Sequence, residues 1–164
     1  MLIVFSTAEK YESDSLAEKG AELYFDIFGG KRRLSFSHNT DGSPCFKERG
    51  GKISDIKISI SHSKNLIFAV ISTSNAGIDV QFHDENIDKS AVSKRIFNRE
   101  ITDSKEFFDA WAQGEAHIKF AGLNPLNGFS SWEKSEKTTV LLPLFNDYST
   151  AYECFDKEVF IHEL

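Results

Sequence analysis

Asp79, Gln81, Glu115 and Lys119 are the residues whose types and spacing could carry chemistry in this chain. Gly77-Ile-Asp-Val-Gln81 reads as a strand with Ile78, Val80 and Phe82 on one face and Asp79 and Gln81 on the other. The two polar side chains then stand roughly 6–7 Å apart along the strand. A carboxylate in so apolar a strand is costly unless a backbone N–H, a basic side chain, solvent or a cation compensates it. Its downstream counterpart is Trp111-Ala-Gln-Gly-Glu115. At about 100° per residue, Phe107, Trp111, Gly114 and Ile118 form an apolar stripe, and Glu115 falls on its inward flank beside Phe108. Lys119, four residues on, could pair with Glu115 for a few tenths of a kcal/mol. A carboxylate that close to aromatic rings suggests a further use.

Length and composition narrow the setting. The chain has 164 residues, 15 of them Phe, with a formal net charge of -6. That is material for one domain, or two small halves sharing a core. The acidic balance argues against general nucleic-acid binding, which needs a basic surface. Cys45 and Cys154 have neither metal-like nor redox spacing and read as thiols in a reducing compartment. Met1-Leu-Ile-Val-Phe5 is too short and uncharged to target the chain, and no run reaches transmembrane length. The expectation is a cytoplasmic soluble domain.

The positioning elements follow in order. Leu2 to Phe5 reads as a strand. Ser15-Leu-Ala-Glu18 has capping-box spacing, Leu16, Leu23 and Ile27 continue at helical spacing, and Gly29-Gly30 stops the helix. Lys31-Arg32-Arg33 is the densest basic run and reads as charge at a helix end and on a solvated strand edge. Leu34 to Ser37 alternates as a strand, Asp41-Gly-Ser-Pro44 signals a turn, and Arg49 to Lys52 a mobile loop. Ile56, Ile58 and Ile60 alternate with Lys57, Ser59 and Ser61, and Leu66 to Ile71 is continuously apolar. The pair predicts a hairpin whose turn carries Ser61, His62 and Ser63, where a histidine is ordinarily solvated. The Gly77 strand would make a third neighbour.

Asp88 can cap a helix containing Val92 and Ile96 that ends near Asn98. Asp103-Ser-Lys-Glu106 opens the longest helix, to Ala121, with Gly122 as its stop. Thr138 to Leu142, Ala151 to Phe155 and Val159 to His162 read as strands, the last two joined by a turn at Asp156-Lys157. The expected architecture is α+β: two halves, 1–74 and 75–164, forming one compact unit with a pseudo-repeat of strands and helices.

Five segments in this order resemble the 4′-phosphopantetheinyl transferases of the surfactin-synthetase-activating type. Asp41-Gly-Ser-Pro44 is similar to that family's Gly-Lys-Pro turn, and Ile58-Ser-Ile-Ser-His-Ser63 to its Asn-Ile-Ser-His-Ser. Gly77-Ile-Asp-Val-Gln81 is similar to Gly-Ile-Asp-Ile-Glu, and Arg95-Ile-Phe-Asn98 to Arg-Phe-Phe-Ser. Trp111-Ala-Gln-Gly-Glu-Ala-His-Ile-Lys119, with Gly122-Leu123, resembles Trp-x-x-Lys-Glu-x-x-x-Lys followed by Gly-x-Gly-Leu. Residues 1–40 and 124–164 resemble the family only in their general pattern of strands and helices.

The resemblance implies a pseudo-twofold α+β fold, each half a small antiparallel sheet on a long helix, with coenzyme A and Mg²⁺ bound between them. It implies transfer of the phosphopantetheine arm of coenzyme A to a serine of an apo acyl or peptidyl carrier protein by a monomer. Asp79, Glu115 and Gln81 would hold Mg²⁺, a cation that takes hard oxygen ligands. Ser61, His62 and Lys119 would contact the phosphates of coenzyme A. Glu115 and Lys119 would be catalytic, the first taking the serine proton and the second stabilising the transferring phosphate. Lys89, Lys94, Arg95 and Arg99 are the candidate docking patch for an acidic carrier protein.

The sequence departs from the family at three chemically important places. Gln81 stands where a Glu ligand is typical, Gly114 replaces the lysine before the helix glutamate, and Ser43 replaces the lysine of the Gly-Lys-Pro turn. These departures keep a second expectation open: a relative that binds a carrier protein or coenzyme A without efficient transfer.

Overall fold

A computed structural model describes residues 1–134 and 138–164. The chain is α+β and divides into two units, one of residues 1–76 with 155–164 and the other of residues 77–154. The elements of the first unit are β1 (Leu2–Thr7), α1 (Ser13–Phe28), β2 (Ser35–His38), β3 (Pro44–Lys47), β4 (Lys57–Ser63), β5 (Leu66–Ser72) and β9 (Phe160–Glu163). Those of the second are β6 (Ala76–Phe82, entered from the boundary residue), α2 (Lys89–Phe97), α3 (Ser104–Ala121), α4 (Pro125–Lys134), β7 (Val140–Leu141) and β8 (Tyr148–Cys154). No described helix is long and apolar enough to cross a membrane.

In the first unit a four-stranded sheet runs in the order β4-β5-β1-β9. β5 is buried along its whole length, as its unbroken apolar sequence requires. α1 packs on β1 and β5 through Leu16, Ala17 and Ala21, joined by Val4, Ile58, Ala69 and Ile71 in one core. Gly20 lies where that helix meets the sheet: a Cβ there would stand 2.7 Å from Ile71 and 2.8 Å from Val4. The helix begins after Glu12, which makes no side-chain cap. The Ser15–Glu18 capping-box pattern therefore falls inside the first turn rather than at its start. Glu18 instead accepts the Phe36 N–H (3.0 Å), tying α1 to β2.

Three further expectations change. The β4–β5 hairpin turns at Lys64-Asn65, with Lys64 at φ 52, and Ser63 pairs with Leu66. Ser61, His62 and Ser63 therefore lie on the strand, because their alternation continues the Ile56–Ile60 pattern, and not in the turn. β6 leaves the sheet of β4 and β5 and joins β8 and β7 in the order β6-β8-β7. The last two strands part company at their turn. β8 stays in the second unit, whereas β9 crosses back and pairs in parallel with β1, Ile161 beside Ile3. Asp156 anchors that return by accepting the Ser72 (2.8 Å) and Ser74 (3.1 Å) hydroxyls. The first sheet is thus mixed rather than antiparallel, and the expected 75–164 half loses its last ten residues to the first unit.

The second unit is built on α3. Asp103 accepts the Glu106 N–H at 2.7 Å, and Gly122 ends the helix in the left-handed region at φ 64. α2 is capped by Asp88, which accepts the Ala91 N–H at 3.0 Å. One side of α3 joins Phe97, Ile101, Phe129 and Trp132 in an aromatic core. The opposite side meets β8 through Ala112, Ala116 and Ala151, all fully buried. Small residues let helix and sheet approach closely here, and β6 approaches closer still. A Cβ on Gly77 would stand 2.0 Å from the Ala116 carbonyl oxygen and 2.6 Å from the Phe120 nitrogen. Both atoms are backbone, so nothing can rotate aside. Gly77→Ala should therefore lower the unfolding free energy by about 3 kcal/mol, as severe overpacking does, read as a shift in urea midpoint at unchanged m-value.

Candidate functional site

β6 and α3 place four of the predicted residues together within the second unit. Asp79 points inward from β6 and is 2% exposed. Lys119 Nζ, in the last turn of α3, donates to Asp79 Oδ1 (2.7 Å) and to the Ile78 carbonyl (3.0 Å). Gln81 Nε2 donates to Asp79 Oδ2 (2.8 Å). Both carboxylate oxygens are thus engaged, one by an ammonium and one by an amide. The compensation the sequence left open is at least in part a basic side chain, here reached across the fold.

That pairing leaves Glu115 in an unusual position. It is half-buried beside Trp111, and its carboxylate makes no hydrogen bond or ion pair among the described residues. The i,i+4 pair that the spacing allows with Lys119 does not form, because the lysine is held by the more deeply buried Asp79. Burial raises the Glu115 pKa above the ordinary carboxylate value, and the negative charge of Asp79 raises it further, with Lys119 opposing. A groove of about 600 Å³ opens beside it, walled by Val92, Ile96, Trp111 and Phe129 and carrying Arg95.

The fit of a divalent cation can be judged from the donors. Asp79, Glu115 and the Gln81 amide oxygen are hard oxygen ligands of the kind Mg²⁺ takes, and the Asp79 charge that raises the proton affinity of Glu115 would attract a cation in the same way. Among the described residues no group of three His, Cys, Asp or Glu side chains is arranged to hold a metal. Gln81 would have to supply the third protein oxygen, and its amide would have to turn to do so. In donor type the residues fit.

Ser61 and His62 belong to the first unit. Both lie on β4, opposite Phe68 and Ile67. Ser61 is buried and His62 exposed. Of the basic residues expected to form a docking patch, Lys89 pairs with Glu85 (2.9 Å), Lys94 with Glu100 (3.0 Å) and Arg99 with Glu106 (2.7 Å). Arg95 alone of these faces the groove beside Glu115.

The departures at Gly114 and Ser43 have structural causes. A Cβ on Gly114 would stand 2.4 Å from the Phe129 ring, so α4 fills the space a side chain would need. Ser43 closes its own turn: its hydroxyl (2.6 Å) and N–H (2.9 Å) both donate to Asp41, and its hydroxyl accepts from Asn39 (2.9 Å).

His117 and Glu153 were not singled out by sequence. The buried pair is 2.9 Å apart and fastens α3 to β8 between the turns that carry Glu115 and Lys119. A histidine on the inward face of α3 and a glutamate at an alternate position of a buried strand were the available signals.

No protein-family model matches the chain, and no curated protein matches it.

The perturbed Glu115 carboxyl has a stability consequence with a definite sign. Its native pKa lies above the unfolded value, so the native state holds the proton more tightly and stability falls as pH rises through that interval. Glu115→Gln should unfold at a higher temperature than the parent at pH 7. The difference should shrink as pH falls and vanish below the ordinary glutamate range, in melting curves from pH 4 to 8.

Proposed function

We propose that this protein transfers the 4′-phosphopantetheine arm of coenzyme A to a serine of an acyl or peptidyl carrier protein, with Mg²⁺. The observation that carries the reading is the meeting of Asp79, Gln81, Lys119 and Glu115 at one place, from segments some 40 residues apart. A helix on a sheet in each unit, α1 on β1 and β5 and α3 on β8, supports the pseudo-twofold form of that family. Bound Mg²⁺ would neutralise the pyrophosphate of coenzyme A and draw charge from the oxygen that leaves.

The protein's own residues have separable tasks. Glu115, whose raised pKa keeps it basic enough to accept a proton, takes the hydrogen of the carrier serine. Lys119 sets a positive charge beside Asp79, and its ammonium offers a further donor to a phosphate oxygen. Trp111 and Phe129 wall the groove beside Glu115.

A specific observation favours a second reading, a relative that binds without efficient transfer. Lys119 and Gln81 together close both oxygens of Asp79 into a self-contained cluster, and the places of two family lysines are taken by the Phe129 ring and the Asp41 turn. Incubation with apo carrier proteins, coenzyme A and Mg²⁺ separates the two. Mass spectrometry should show addition of the phosphopantetheine arm; silence with carriers that a known transferase modifies would overturn the first reading. Melting temperature gives an independent check. Coenzyme A should stabilise the protein more with Mg²⁺ than without, and Asp79→Ala should abolish that difference. Coenzyme A stabilisation that ignores both metal and Asp79 would support the second reading.

A further inference from the structure

The first unit carries a basic surface that this reading does not use. Two adjoining grooves, of about 450 and 560 Å³, share Glu18, Arg33 and Leu34 in their walls. The first also takes Lys31 from the loop after α1, and the second takes Lys47 and Arg49 from the end of β3 and the turn beyond it. Volumes of this size suit a small molecule rather than a flat macromolecular face.

The charges around the grooves divide into satisfied and unsatisfied sets. Arg32 is fully occupied: it bonds Asp55 and Glu48 and lies over the Phe25 ring. Glu48 is thereby used, Glu22 pairs with Lys19 (2.8 Å), and Glu18 accepts the Phe36 N–H. Lys31, Arg33, Lys47 and Arg49 have no ion pair or hydrogen-bonded side-chain partner among the described residues. In a chain of net charge -6, unpaired cations have been gathered at one place while the acids beside them are otherwise engaged. Arg33 stands in the wall common to both grooves.

We infer that these grooves bind a small ligand carrying two or more linked phosphates, with Arg33 between them. Guanidinium groups present paired donors that match phosphate oxygens, and lysines add point charge at either end. A single phosphate would engage one groove, whereas a phosphate chain reaches both. The inference stands on the first unit alone and does not rest on the transferase reading.

Calorimetric titration of the full chain with tripolyphosphate, without Mg²⁺ and at low salt, tests it. Tripolyphosphate should bind at least tenfold more tightly than orthophosphate and lose affinity as salt rises. Arg33→Ala should weaken binding about tenfold or more, the loss of a charge-assisted pair. Lys47→Ala and Arg49→Ala should each weaken it severalfold, and Lys157→Ala, at another exposed lysine, should leave it unchanged. Equal affinity for tripolyphosphate and adenosine triphosphate would assign the site to the phosphate chain itself; tighter binding of the nucleotide would assign it to a nucleoside polyphosphate. No binding at millimolar tripolyphosphate, or binding that Arg33→Ala and Lys157→Ala reduce alike, would overturn the inference.

Discussion

The carboxylate of Asp79, buried in β6, constrains the second unit. An ionised carboxylate that has lost its water must be met by charge and hydrogen bonds, and Lys119 supplies much of both from α3. For the lysine to reach, β6 and α3 must run almost in backbone contact, which the glycine at position 77 permits, while the alanines at 112, 116 and 151 let α3 lie as closely on β8. The caps at Asp103 and Gly122 set where α3 begins and ends, and the His117–Glu153 pair holds its other side to β8. One buried charge thus links strand, helix and the small residues between them.

The same constraint accounts for the state of Glu115. A lysine placed between two carboxylates goes to the one from which solvent is better excluded, because the electrostatic gain there is larger. Asp79 is almost fully buried and Glu115 only half so, and the ammonium sits on Asp79. Glu115 keeps a neighbouring negative charge without a hydrogen-bonded counterion among the described residues, which is the condition for a carboxyl that gains and gives up a proton closer to neutrality.

Local signals in the sequence were readable because their physics is local. Asp88 and Asp103 cap the helices they precede, Gly29 and Gly122 end the helices they follow, and the alternation from Ile56 to Ser61 is that of a strand. What could not be read was pairing over distance. Nothing in Val159 to His162 says that it lies beside Leu2–Phe5 in parallel, and nothing in Gly77–Phe82 says that it leaves its sequence neighbours for β8. The candidate site shows the same division. Asp79, Gln81, Glu115 and Lys119 were found by type and spacing, but the one partner that spacing offered Lys119 was Glu115 four residues away, and it pairs with Asp79 forty residues away. His117 and Glu153 escaped notice because each alone is an ordinary residue.

Arg32 and Arg33 make that limit concrete. They are adjacent, chemically identical and both exposed, and as sequence they form a single basic run. The backbone sends one towards Phe25, Glu48 and Asp55 and the other into the wall of two grooves. The first has a counterion and an aromatic face, and it lowers the Asp55 pKa in return. The second has neither among the described residues, so a ligand anion meeting it need not displace one of their carboxylates first. Composition counts both as one charge each, although only the second leaves that charge open to a partner from outside the chain.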